Sequence, residues 1–202
     1  MPESIYLPQA YKRCRSGLTI SVILLVLEIL ILFIFSKPLV LIGAIGHLIG
    51  NILIILGTAF VKRHASSAYR ERAEFTRLAL NHMAVAVVWV FGSFTLYEGF
   101  ERIRDPVALS GWPTIVSALF YLAGNLATYV IIAGTNGAAN AKLRKMSSVY
   151  MVTHLVVSML MIASGCSILL ARSPAIDDLA SLMLIAPMLF FLGMWILLWD
   201  HR

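Results

Sequence analysis

Six long apolar runs, separated by short polar or basic breaks, organise this chain. Leu18 to Phe35 is interrupted by Ser21 and Glu28. The break Ser36-Lys37-Pro38 is so short that the next run, Leu39 to Val61, must return antiparallel beside the first. A basic connector, Lys62 to Arg72, leads to a third run at about Phe75 to Tyr97, which the polar stretch Glu98 to Pro106 is expected to end. Trp112 to Ala133 is the fourth. Gly134-Thr135-Asn136-Gly137 follows it and turns basic at Lys142, Arg144 and Lys145. The fifth covers Ser147 to Ala171, and the sixth runs from near Leu179 to Trp199, with Pro187 expected to bend it. About 20 apolar residues cross a bilayer core as a helix, and each run has that length. The expected fold is therefore all-α: an integral membrane protein in which residues 17–199 form six transmembrane helices. Residues 1–16 form an N-terminal tail and 200–202 a short C-terminal end.

Composition sharpens this reading. Hydrophobic residues make up 60% of the 202 positions and charged ones 13%, about half the share usual in soluble domains. Mean hydropathy is +0.87. The formal charge of +6 would suit nucleic acid or an anionic surface, but the basic residues gather at helix ends, so no nucleic-acid partner is expected. With the N-terminus inside, twelve of the sixteen Lys and Arg fall on inner segments; only Lys37, Arg102, Arg104 and Arg172 lie outside. This bias puts both termini in the cytoplasm, in a multi-pass protein of the plasma (inner) membrane. The first run follows Lys12, Arg13 and Arg15 and is too long for a signal core, so it reads as a retained span. Cys14 and Cys166 imply no disulfide framework.

Polar side chains inside the runs carry the candidate chemistry. His47 and Asn51 sit four residues apart in the second run, on one helix face, beside Gly43, Gly46 and Gly50. Small residues let another helix come close. His154 and Ser158 repeat the spacing in the fifth run. A polar pair at mid-membrane depth is costly unless it faces a partner or a wet cavity, so it marks a site. Two neutral imidazoles suit zinc, cobalt, nickel or copper, whereas amide and hydroxyl oxygens add no anionic charge. Without a site, each histidine would hydrogen-bond to a neighbouring helix. Glu28 is the only carboxylate well inside a span; it is either a structural hydrogen-bonding group or one that alternates with a proton or cation. His82 beside Asn81 is either a proton-path candidate or a helix-packing polar group, and Met151, Met161 and Cys166 raise a soft-metal alternative to the ordinary packing role of Met in apolar helices. No phosphate-cradling Gly loop, Gly-x-Ser-x-Gly elbow or His-Glu-x-x-His is present, so no enzyme is expected.

Five short motifs in order resemble the transmembrane domain of the cation diffusion facilitator (cation efflux) family. They are Ser36-Lys37-Pro38-Leu39 before the second helix; Arg72-Ala73-Glu74 with Asn81 at the third; Tyr97-Glu98-Gly99-Phe100-Glu101-Arg102-Ile103 to Pro106; Asn125 in the fourth; and Asp177-Asp178-Leu179-Ala180-Ser181-Leu182 opening the sixth. The resemblance covers about residues 18–199 and implies a six-helix metal/proton antiporter. His47 and His154 match the family's site histidines. Asn51 and Ser158 stand where both site aspartates would be, Ala44 replaces a further aspartate, and Glu28 is the counterpart of a first-helix Glu. The His-Pro-x-Gly-x-Gly run before the third helix and the terminal cytoplasmic domain have no counterpart.

What the resemblance implies is a transporter of a divalent metal cation, zinc-like, with proton-coupled efflux around His47, Asn51, His154 and Ser158. No tightly bound cofactor is expected beyond the transported cation. The partners would be a metal cation, a proton and the lipid bilayer, with a homodimer by analogy. The alternatives are a non-transporting relative that partners or regulates another membrane protein, favoured by the missing aspartates, and a transporter of altered cargo.

Overall fold

A computed structural model of the chain describes residues 6–34, 38–64, 68–105, 107, 109–133, 141–172 and 175–200. The helices are α1 (Tyr6–Ile34), α2 (Leu39–His64), α3 (Arg70–Arg104), α4 (Gly111–Ala133), α5 (Ala141–Ala171), α6 (Ala175–Ala180) and α7 (Ala186–Asp200). A π-helical turn, Ser181–Ile185, joins α6 to α7, so these three pieces make one continuous sixth rod. Six helices are long and apolar enough to cross a membrane.

Several ends differ from the sequence expectation. Helix α1 begins at Tyr6, inside the stretch 1–16 assigned to a tail. Cys14 is buried there against Ile55 and Ala59 of α2, with Tyr11 and Leu18 packed beside it, and this burial carries the helix past the apolar run. Helix α3 likewise passes through Glu98 to Arg104 instead of ending near Tyr97. Charge pairs one turn apart, Arg102 with Glu98 and Arg104 with Glu101, support that extension. Pro187 does perturb the sixth rod. It has no N–H to give the carbonyl four residues back, and the wider π register lies just before it.

Helix α2 is the centre of the bundle, with 78% of its most apolar stretch buried against 22% to 41% for the other five. Glycines make this possible. A Cβ on Gly50 would come within 2.8 Å of Val88 Cγ1, and one on Gly46 would strike the Phe91 side chain, so α3 can lie close only because both are bare. On the other side α1 and α4 pack against each other, and α4 continues onto α5. Leu41, Ala44, Leu48, Val88, Val157, Met161, Leu189 and Leu192 share one apolar core. Outward faces carry Phe33, Phe75, Val90, Leu170 and Phe191, all exposed, which suits contact with lipid.

One acid fixes an end of the assembly. Asp177 on α6 accepts the backbone N–H of Leu39 at 2.8 Å and the Ser164 hydroxyl at 2.9 Å. The first turn of α2 leaves N–H groups without intrahelical partners, and the carboxyl oxygen caps one of them. Trp89 Nε1 donates to the Phe190 carbonyl at 3.3 Å and ties α3 to α7.

Candidate functional site

His47 lies nine residues into α2 and is fully buried; His154 of α5 is 3% exposed. Their rings stack with centroids 4.3 Å apart and planes 29° from parallel. A residue that sequence reasoning passed over bridges them. Tyr121 of α4, fully buried, places its hydroxyl 2.9 Å from Nδ1 of His47 and 2.9 Å from Nδ1 of His154. The point where both imidazoles converge is therefore held by a phenol oxygen.

The remaining nitrogens are also engaged. Asn51 Nδ2 is 3.4 Å from His154 Nε2, and Thr153 Oγ1 is 3.3 Å from His47 Nε2. Asn51, His154, Tyr121, His47 and Thr153, five side chains from α2, α4 and α5, are thus joined by four contacts into one network. Each ring nitrogen donates or accepts according to its tautomer, and a neutral imidazole carries a single ring hydrogen.

Of the four residues that sequence reasoning singled out, His47, Asn51 and His154 meet here. Ser158 is fully buried, but its hydroxyl donates at 2.8 Å to the carbonyl of His154 on its own helix. The back-bond to the preceding turn is a common habit of serine inside a helix. His82 points away: it is exposed on the outer face of α3, with Nδ1 2.9 Å from the Leu78 carbonyl, so it takes no part in this cluster. Met161 packs in the apolar core. Among the described residues no three His, Cys, Asp or Glu side chains are grouped as a metal ion would require. The cluster is rich in donors and acceptors but contains no carboxylate.

A second polar group borders the first. The Ser117 hydroxyl of α4 donates to the Glu28 carboxyl of α1, and both residues are fully buried. Asn125, one turn beyond Tyr121, donates Nδ2 to the Tyr121 carbonyl at 2.7 Å. No protein-family model and no curated protein sequence matches this chain.

Proposed function

We propose that this protein is a six-span membrane transporter of a divalent metal cation, zinc-like, built as in the cation diffusion facilitator transmembrane domain and coupled to protons. Both termini face the cytoplasm in this reading, as the Lys and Arg distribution favours. The observation that carries it is the stacked, buried His47 and His154 pair, brought together at 4.3 Å by helices α2 and α5 in the middle of an apolar bundle. Burying two imidazoles in hydrocarbon costs free energy that a packing role alone does not require. A cation would bind imidazole nitrogen in place of a hydrogen; the Tyr121 oxygen lies beside Nδ1 of both rings and the Asn51 amide beside Nε2 of His154. Proton and cation then compete for one set of lone pairs, which is the chemical basis of exchange.

The test is zinc flux in proteoliposomes bearing the wild type and a His47→Ala, His154→Ala double variant. Saturable flux lost in the double variant supports the proposal; flux that persists unchanged eliminates it.

A second reading rests on its own observation. The cluster lacks any carboxylate to offset the lost hydration of a divalent ion, and the Ser158 hydroxyl is turned to its own backbone. A non-transporting relative that binds or regulates another membrane protein fits those features. It predicts no saturable zinc binding by the purified protein and stable co-purification with a membrane partner.

A further inference from the structure

The buried face of α4 is unusual for a helix in an apolar bundle. Thr114, Ser117, Tyr121, Asn125 and Thr128 are each at most 3% exposed. Facing this stripe on α1 are Ser21, Leu24 and Glu28, buried at spacings of three and four, while Val22, Ile23, Val26 and Leu27 between them are exposed. The two helices are antiparallel, and two contacts set their register. The Ser117 hydroxyl donates to the Glu28 carboxyl, and a Cβ on Gly124 would run into the Leu24 side chain. Counting equal steps from either contact puts Ser21 opposite residues 124–127 of α4, beside Asn125 and Thr128.

At this level three buried oxygens have no hydrogen-bond partner among the described residues: Ser21 Oγ, Asn125 Oδ1 and Thr128 Oγ1. Their state is not the ordinary one. Thr58, Thr114 and Ser158 of this chain each donate to the carbonyl one turn back, as hydroxyls inside helices commonly do. Ser21 and Thr128 forgo that bond. Asn125 commits its amide nitrogen to the Tyr121 carbonyl at 2.7 Å, which leaves Oδ1, an atom that can only accept. Buried polar atoms are nearly always paired, so three at one level call for a small guest: a water or a hard cation.

Charge decides between the two. Glu28 lies two turns along α1, about 10 Å away, fully buried and with Oε1 also unpartnered. The elements packed against α1 are chiefly α2 and α4. Helix α4 carries no charged residue, and the basic side chains of α2, Lys62, Arg63 and His64, stand in its last turn. The nearest Lys or Arg on α1 is Arg15, thirteen residues and about 20 Å from Glu28. A buried carboxylate without a cation is costly, and a water brings it no charge. Neutral hydroxyl and amide oxygens suit a hard monovalent ion, as carbonyl oxygens do in cation channels, whereas a divalent ion calls for more anionic ligands.

We propose that the seam between α1 and α4 is a site for a hard monovalent cation, sodium-like, held by the oxygens of Ser21, Asn125 and Thr128 and balanced in charge by Glu28. The inference goes beyond the transporter reading, since the site is separate from the stacked histidines and its occupation does not depend on their cargo. Bound there, the ion ties α1 to α4 and gives partners to oxygens that neither helix satisfies.

The test is the thermal midpoint of the purified protein in detergent, in sodium, lithium, potassium or choline chloride at equal ionic strength. Sodium is expected to raise the midpoint over choline by about 2 °C or more, saturating with concentration. Thr128→Val, which keeps the side-chain shape, and Glu28→Gln are each expected to abolish that shift. His82→Gln on the outer face should retain it. Identical wild-type midpoints in all four salts mean that water or a protonated Glu28 completes the seam, and overturn the site. A sodium shift that survives both Thr128→Val and Glu28→Gln also overturns it. Should either variant fail to fold, binding of radioactive sodium to the wild type decides the matter. A single ion per chain, displaced by unlabelled sodium, supports the site, and no binding overturns it. Neither result touches the zinc-flux test, so each reading can fail alone.

Discussion

Nδ1 of His47 and the buried Tyr121 hydroxyl are hydrogen-bonded at 2.9 Å, and Nδ1 of His154 shares the same oxygen at the same distance. Because one hydroxyl serves two rings, no member of the trio is independent. A double-mutant cycle of His47→Ala and Tyr121→Phe should show a coupling of about 0.5–3 kcal/mol, read from unfolding in detergent. Additive effects would show that the ring and the phenol do not share their hydrogen bond.

The ligand set can be tested by restoring charge. Asn51 already touches His154, whereas Ser158 is committed to its own helix. An Asn51→Asp, Ser158→Asp double variant supplies two carboxylates on the inner faces of α2 and α5. Zinc binding by the purified variant should tighten at least about tenfold over wild type, about 1.4 kcal/mol. Calorimetric titration checks this, and unaltered affinity would mean that the two carboxylates do not reach a common ion.

Close approach of α2 and α3 depends on an absent side chain. Gly50→Ile would drive new atoms into Val88, whose branched side chain has little freedom to turn away. The expected loss is about 1–3 kcal/mol, seen as a lower thermal midpoint, while a substitution at lipid-exposed Val90 leaves the midpoint near wild type.

Asp177 holds two elements with one carboxyl. Asp177→Ala leaves the Leu39 N–H and the Ser164 hydroxyl without their acceptor. A destabilisation of about 1–3 kcal/mol is expected. Hydrogen exchange should rise first at the start of α2, and uniform exchange across the bundle would refute a local capping role.

Orientation is open to labelling. In a background with Cys14 and Cys166 replaced by serine, Asp105→Cys is expected to react with an impermeant maleimide on intact cells. Glu71→Cys, on the opposite side and also exposed, should react only after permeabilisation. The reverse pattern would invert the assignment of the termini.

Much of the bundle was legible because apolar runs of the right length leave few alternatives, and both His47 and His154 announced themselves as polar residues in hydrocarbon. The rest was hidden for physical reasons. Tyr121 sits in Leu119-Phe120-Tyr121-Leu122, where an aromatic reads as packing, and only the polar spacing from Thr114 to Thr128 marks it. Asn81 and His82 are neighbours in sequence, yet one is buried and the other faces outward, because adjacent residues on a helix point about 100° apart. The behaviour of Ser158 depends on a rotamer choice between its own backbone and a neighbour, which spacing does not determine. Helix ends were misread wherever a charged segment was stabilised by pairs within the helix, as in Glu98 to Arg104.

The wide turn at Ser181–Ile185 has a consequence for anyone editing the last membrane segment. It accommodates one residue more than a regular coil would, so the azimuth of everything downstream is offset by about 100° from that of everything upstream. Shortening this stretch by a single residue would restore a regular α-helical register and force a choice. Either Asp177 would swing out of alignment with its two donors, or Leu189 and Leu192 would rotate toward lipid. Insertions, deletions and chimeric junctions placed on either side of that turn are therefore not interchangeable.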